Sequence, residues 1–524
     1  MTTKGWTLLA AVLGSSVVFL DAIVLPVAMA AIGREPRLFV DVLEGQNYVF
    51  YGYLLSLSAL LVLSGALSDY FGRRRIFIVG LVGFGVTSLL CGLAPNIEAL
   101  IAFRILQGAT GALLVPGSLA ILSNAFSGEE QGRAFGIWAA ASSATSLAGP
   151  LVGGLLVQEV SWRAIFLINL PLIAIALWAA LRHVNESRDE RASSRFDWLG
   201  ALLIALAVGG LVFGAIYGEQ RRWQSPLAFV ALAVGGVATV ALPLYFARAA
   251  HPLVPLGMFR SRNFSVTNLS TLLIYGALYV YGAWQALFLV GTLAYSATAV
   301  GLAAIPTSLF LVLLSARFGG LAGRIGPRLF MSLGPLMMAF ALLWLARFPN
   351  NSTPWQLRLA DPASWPPSTG YWIDLLPATL MFGLGLSMMV APLTTALMRS
   401  VPSRQAGLAS AINNAVSRVG PQLAGALIFV VITAGFYASL AARVPGLNVD
   451  APEFRAAVSP LNPVPSSVDP QIAAAAQAAS TEAFHIAMLT AAGMLLLGAA
   501  VNWLGISDEQ ALVAAHGERA GRDA

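Results

Sequence analysis

The chain reads as long apolar runs separated by short polar breaks. Residues 76–94, 226–246 and 329–346 carry no charged side chain, and residues 6–32 carry only Asp21. A run of about 20 apolar residues can cross a bilayer as a helix. Backbone polar groups cannot stay unpaired in lipid, so such runs must be helical. The pattern predicts an all-α integral membrane protein with fourteen helices, over 6–32, 47–67, 76–94, 99–124, 134–157, 163–181, 197–217, 226–246, 264–291, 299–319, 329–346, 371–398, 406–436 and 481–504. Lys4, an apolar run and Ala28-Met29-Ala30 imitate a signal peptide. The run is too long for one, contains Asp21 and is followed by a second span, so it is expected to be a retained first helix.

Composition fits this pattern. Of 524 residues, 58% are hydrophobic and 10% charged, with a mean hydropathy of +0.77, whereas soluble proteins carry roughly 25% charged residues. The net charge of +6 could suggest a nucleic-acid partner, but the basic residues sit in short loops on alternate sides of the spans. With an even number of spans both termini share one side. That side collects about 19 Lys and Arg, among them Arg73, Arg74, Arg75, Arg182, Arg188, Arg191, Arg195, Arg260 and Arg262, against about 8 on the other. Both termini are therefore expected in the cytoplasm, and no nucleic-acid partner is expected. The connections near 347–370 and 437–480 are long. The second, with Pro445, Pro452, Pro460, Pro463, Pro465 and Pro470, reads as a tolerated insertion, with a mobile surface flap as the alternative. The single cysteine, Cys91, excludes an intramolecular disulfide and a thiolate metal site.

The chain also repeats itself. GALSDYFGRR (65–74) aligns without gaps on GGLAGRIGPR (319–328), matching Gly65, Leu67, Gly72 and Arg74 to Gly319, Leu321, Gly326 and Arg328. Gly149-Pro150 with Gly153 and Gly154 in the fifth span matches Gly420-Pro421 with Ala424 and Gly425 in the thirteenth, and Arg133 and Arg404 lie equally far upstream. The offset is eight helices. The expected organisation is a six-helix bundle (1–181), two inserted helices with flanking loops (182–263), a second six-helix bundle (264–504) and a tail (505–524). Duplicated halves around a midplane cavity are the architecture of a rocking transporter.

These segments carry a resemblance. GALSDYFGRRR (Gly65–Arg75) resembles the signature loop of the major facilitator superfamily, and LIAFRILQGATGA (Leu100–Ala112) its fourth-helix motif. SLAGPLVGG (Ser146–Gly154) is similar to the motif of its antiporters. FLDAIVLPVAMAAI (Phe19–Ile32) is similar to the first-helix motif of its fourteen-helix drug:proton antiporter branch, with Ala22 and Leu25-Pro26 where that branch usually has Asn- or Thr-type residues. The resemblance covers nearly the whole chain. It implies a proton-driven exporter in a bacterial inner membrane with no cofactor, whose partners are a small-molecule substrate, protons and the bilayer. The chain would act as a monomer, with a periplasmic adaptor as a further candidate partner.

Candidate chemistry starts from charges inside the spans. A charge at the bilayer centre costs about 2.5–3.5 kcal/mol on insertion scales, so Asp21 must pair, neutralise or face water. Burial penalises an ionised carboxylate, and an aspartate that alternates between wet and dry surroundings can take up and release a proton. Arg104 is its natural counterpart, permanently charged, with Gln107 on the same helix face. A structural Asp and a packing Arg are the plain alternatives. The second half has no matching pair; only Arg418 is charged deep within it, near Asn413 and Asn414. Proton chemistry is thus expected in the first half. Phe19, Gln107, Trp138, Tyr275, Tyr279, Trp284, Gln285, Met388, Met389, Asn413, Asn414 and Arg418 are candidates for a cavity wall, where aromatics and methionines adapt to flat apolar ligands. The resemblance further implies a cytoplasmic gate of Gly65, Asp69, Gly72, Arg73 and Arg74, with Asp69 near a helix N-terminus of the other half. It also implies a bent, tightly packed hinge at Gly149, Pro150, Gly153 and Gly154. An enzyme is not expected: of four histidines only His485 falls in a span, and no phosphate-binding glycine loop follows a strand. An exporter of a specific metabolite, lipid or siderophore, or a receptor or sensor derived from a transporter, remains as an alternative.

Overall fold

The computed structural model describes residues 2–126, 128–187, 197–250, 252, 254, 256–401 and 406–508. Helices dominate these residues, with no strand beyond an isolated bridge between Arg358 and Asp361. In chain order they are α1 (Thr3–Ile32), α2 (Val42–Phe71), α3 (Arg73–Gly92), α4 (Ile97–Gly111), α5 (Leu114–Ala125), α6 (Gly128–Glu159), α7 (Ala164–Leu167), α8 (Asn169–His183), α9 (Trp198–Gln220), α10 (Pro226–Arg248), α11 (Arg262–Leu287), α12 (Ala297–Ala303), α13 (Ile305–Ile325), α14 (Arg328–Leu345), α15 (Leu376–Arg399), α16 (Ala406–Arg443), α17 (Pro452–Ala457) and α18 (Pro470–Gly505). Among the described residues twelve helical stretches are long and apolar enough to cross a membrane; α2 and α6, 30 and 32 residues long, are not among these twelve.

Local chemistry sets the ends and breaks. Thr2, Asn96, Ser261, Ser296 and Asp469 each accept a hydrogen bond from a backbone N–H in the first turn of the helix that follows, as N-caps do. The predicted fourth span is interrupted between α4 and α5. Pro116 has no N–H to offer the carbonyl four residues back, and the Ser64 hydroxyl donates to that Ala112 carbonyl instead, at 2.6 Å.

Helices α1–α8 pack with one another, as do α11–α16 with α18. The α9–α10 pair leans on α2 and α16, and α10 turns Val234, Val237, Val240 and Leu244 outward. The duplication is repeated in the backbone. Gly72 and Gly326, the glycines matched by the repeat, have φ of 109° and 98°, a region that favours glycine. Each opens a helix whose exposed N-terminus is capped by an acid three residues past the end of a later helix. Glu186, beyond α8, accepts from the Arg74 and Arg75 N–H groups at 3.0 and 3.2 Å. Asp508, beyond α18, accepts from the Arg328 N–H at 3.1 Å.

At the end of the molecule away from the N-terminus, here the far end, the two bundles interlock. Gly154 of α6 lies so close to the backbone of Ala297 and Thr298 that a Cβ would collide, and Gly301 lies equally close to the Pro150 carbonyl. Gln158 donates to the Leu357 carbonyl at 2.9 Å and accepts from the Thr298 N–H at 3.2 Å. The segment between α16 and α18 belongs to this closure, which corrects the alternative reading of 437–480 as a mobile surface flap. Helices α16 and α18 extend into that range, leaving a shorter connection that contains α17. Its Leu461 is buried, and Asn462 makes a reciprocal amide pair with Gln46 of α2, at 2.7 and 3.0 Å. Arg37 also donates to the Ala456 carbonyl at 3.2 Å. Prolines and small residues gave this segment its loop character, but its buried apolar and amide side chains fasten it down.

Candidate functional site

Asp21 and Arg104 meet in the interior of the first bundle. α1 and α4 bring them together, and both are buried, at 3% and 0% exposure. Arg104 Nη1 donates to Asp21 Oδ2 and, at 2.7 Å, to Gln107 Oε1. Its Nε donates to the Val49 carbonyl at 3.2 Å, and its guanidinium lies 4.1 Å from the Tyr53 ring centroid. Asp21 Oδ1 accepts from Gln107 Nε2 at 3.2 Å and from Asn169 Nδ2 at 3.5 Å. Ser88 accepts from both amides, at 3.2 and 3.1 Å, and Cys91 Sγ donates to Gln107 Oε1 at 3.5 Å. A buried ion pair survives only when its remaining bonding capacity is well met, and these amides meet most of it; among the described residues Arg104 Nη2 and Asn169 Oδ1 have no hydrogen-bond partner.

On the opposite face of α1 a cavity of about 510 Å³ opens between the bundles. Phe19, Ala22, Ile23 and Pro26 of α1 form one wall, and Tyr275, Tyr279, Tyr281 and Gln285 of α11 form another, with Thr307, Ser308 and Thr379 beyond. Five expected lining residues fall here or beside it: Phe19, Tyr275, Tyr279 and Gln285 on the wall, with Trp138 edge-on to Phe19 at 6.2 Å and bonded to Ser118. Others do not. Gln107 belongs to the ion-pair network, and Trp284 points across α11 into a small void against Tyr51. Met388 packs with Ala322 and Phe330 on the other side of α15, and Met389 is fully buried in the main core. Helical rotation explains the misses, since neighbours in sequence point about 100° apart. Arg418 stands just behind the wall, Nη1 donating to the Tyr279 hydroxyl at 2.9 Å. Asn413 donates to Asn268 and Thr271 at 3.2 and 2.8 Å, while Asn414 is exposed on α16.

The glycine–proline segments line both seams. Gly149 and Gly153 face Ile23 and Val24 of α1, while Gly154 and Pro150 meet α12; in the second bundle Gly420 backs onto Leu272 of α11 and Gly425 onto Tyr51 of α2. Of the expected gate, Gly72 and Arg74 hold α3 to α8 within one bundle: Arg74 donates to the Ala180 and Leu181 carbonyls at 3.2 and 2.6 Å. The Arg73 N–H donates to the Ser187 carbonyl at 2.8 Å. The surroundings of Gly65 and of the Asp69 side chain lie outside the described residues, as do Arg188, Arg191, Arg195, Arg404 and the tail from 509. Asn169, Tyr53, Glu186 and Asp508 escaped the sequence reading. Asn169 had a usable signal, a lone amide within a predicted span.

A chamber enclosed by membrane-length helices places the chain in the class of membrane transporters. It belongs to the Major Facilitator Superfamily, whose sequence model matches residues 7–426. It is 33% identical to the Multidrug resistance protein Stp of Mycobacterium tuberculosis over 84% of this chain and 78% of that protein. It is also 33% identical to the Tetracenomycin C resistance and export protein of Streptomyces glaucescens, over 81% and 75%, and 32% identical to the Puromycin resistance protein pur8 of Streptomyces alboniger, over 84% of each. The fold is similar to that of a bacterial homologue of the human lysosomal transporter Spinster, with a TM-score of 0.61 at 16% identity, covering 98% of each chain.

Proposed function

We propose that this chain is a proton-coupled exporter of amphiphilic small molecules working by alternating access. The observation that carries the reading is the double use of α1: one face holds the buried Asp21–Arg104 pair, and the other forms a wall of the cavity. Protonation of Asp21 would remove the counter-ion of Arg104 and favour a different seating of α1. Any movement of α1 then reshapes the substrate wall and its seam with α6. The relatives named for drug resistance and export support an outward direction of transport. Counting α2 and α6, the chain would cross the membrane fourteen times as six, two and six helices. The Lys and Arg bias supports cytoplasmic termini in a bacterial inner membrane, which makes the interlocked far end the closed external side. The chain would act as a monomer and draw on the proton gradient without a cofactor.

The test is transport in proteoliposomes under an imposed pH gradient. Asp21→Asn keeps the side-chain shape and should abolish pH-driven accumulation while leaving substrate counterflow. Undiminished pH-driven transport by that variant would remove Asp21 from the mechanism.

A further inference from the structure

We infer that the cavity is built for planar aromatic acids, amphiphiles carrying a carboxylate or phenolate, rather than for lipophilic cations, and that Arg418 is the residue that receives the acidic group. The inference rests on the reading of the chain as an exporter and names the chemistry of its cargo.

Charge at the cavity decides it. Among the described residues that line the chamber none is acidic. Asp21 is the nearest candidate by sequence, yet its side chain is turned to the other face of α1, almost fully buried, and neutralised by Arg104. Arg418 stands just behind the chamber wall, against two of the lining residues. Its guanidinium lies 5.8 Å from the ring centroid of Phe19 and donates to the hydroxyl of Tyr279, two residues of opposite walls. Among the described residues no carboxylate lies within ion-pair distance of it. A guanidinium stays charged at any biological pH, and a cation at a low-dielectric wall without a counter-ion is electrostatically unfinished. A ligand carboxylate or phenolate completes it with charge-assisted, fork-shaped hydrogen bonds. A cationic ligand meets like charge and no anion.

Shape agrees with charge. Phe19 has Trp138 edge-on behind it, and Tyr281 lies 4.1 Å from Phe382, centroid to centroid. Flat rings therefore border the chamber on the α1 and α11 sides, close to the guanidinium, so a flat aromatic body and an acidic edge can be met together.

Two xanthene dyes of the same outline separate the possibilities: fluorescein, which carries a carboxylate and a phenolate, and rhodamine 123, a cationic ester. Binding is read by fluorescence anisotropy on the full chain in lipid nanodiscs near neutral pH, with protein-free discs subtracted. Fluorescein should bind the unsubstituted protein more tightly than rhodamine 123. Arg418→Gln should weaken fluorescein at least about tenfold and leave rhodamine 123 unchanged or tighter. Arg418→Lys, which keeps the charge and loses the fork, should fall between. If Arg418→Gln does not yield a folded protein, Tyr279→Phe carries the test: it frees the guanidinium from its orienting hydroxyl and should weaken fluorescein alone. Tighter binding of rhodamine 123 than of fluorescein, or fluorescein affinity indifferent to Arg418→Gln, overturns the inference. The two readings stay apart because dye binding is read without a pH gradient, whereas the proton reading is tested by pH-driven transport in Asp21→Asn. Loss of the proton reading would show as pH-driven transport surviving in that variant, with the Arg418 result untouched.

Discussion

Arg104 of the first bundle and Arg418 of the second both lie among apolar helices, yet they are held in opposite ways. Arg104 is fully buried and bonded to Asp21, Gln107 and a backbone carbonyl over the Tyr53 ring. Arg418 is half-buried and meets a tyrosine hydroxyl and the face of Phe19. The packing devices survive in both bundles: the positive-φ glycine before a helix, the acid that caps it, and the glycine–proline seam. Duplication has thus kept the geometry and let the charges diverge. One half stores a closed ion pair, and the other holds, just behind the chamber wall, a cation with no carboxylate partner among the described residues.

The comparison breaks most directly through stability. Arg104→Leu leaves Asp21 as an uncompensated buried charge, which costs on the order of 3–5 kcal/mol. Arg418→Leu strands no partner charge and should stay within about 1 kcal/mol, the range of a change away from buried networks. Thermal unfolding of purified protein, in matched detergent at neutral pH, reads both. Equal losses would mean that Arg418 has a buried counter-ion after all, and the contrast between the bundles would vanish.

A subtler contrast lies in the asparagines. Asn169 donates to Asp21 and Ser88, while Asn413 donates to Asn268 and Thr271 and, among the described residues, to no charged group. Replacing either by Leu leaves buried acceptors without donors, a loss of about 1–3 kcal/mol. Only Asn169→Leu should displace the pH profile of transport, because only it alters the hydrogen bonds to the carboxylate. Parallel shifts in both variants, or none in either, would detach the amide network from proton exchange.

Much of this was legible in the sequence, for identifiable reasons. A charge in an apolar run has few solutions, so Asp21 and Arg104 could be paired on paper, and Gln107 followed from helical spacing. The repeat exposed Gly72 and Gly326 because positive φ restricts the residue choice. Helix rotation was less legible. Met388 and Trp284 are of the right type for a cavity wall but face away from it, and no local pattern in a helix apolar on several sides fixes which side meets the chamber. The 437–480 segment was misread because its fastening is non-local: Asn462 finds Gln46 more than four hundred residues away, and prolines alone do not reveal such a partner.

The smallest expected effect concerns an ion pair that sits outside the spans, the counterpart of the buried one in the same bundle. Glu35, in the connection after α1, receives both ends of the Arg163 guanidinium at 2.8 Å and the Trp162 indole N–H at 2.8 Å. The hydrogen bonds from Arg163, outweighing the opposing effect of burial, hold the Glu35 carboxyl below its ordinary value of 4.5. A depressed carboxylate contributes stability that is fully present above its unfolded value and is lost as pH falls through the lower folded one. Glu35→Gln keeps the outline and removes the charge. It should therefore lower the unfolding temperature by a constant amount above about pH 5, equivalent to about 1 kcal/mol or less for a solvent-accessible pair. Below that the two proteins should converge, as the native carboxyl takes up its proton and the Arg163 fork loses its charged acceptor. Unfolding curves collected in steps from about pH 7 to pH 3 decide it. A gap that persists unchanged to the acid end would show that shape and packing at Glu35, rather than its charge, tie the connection after α1 to the start of α7.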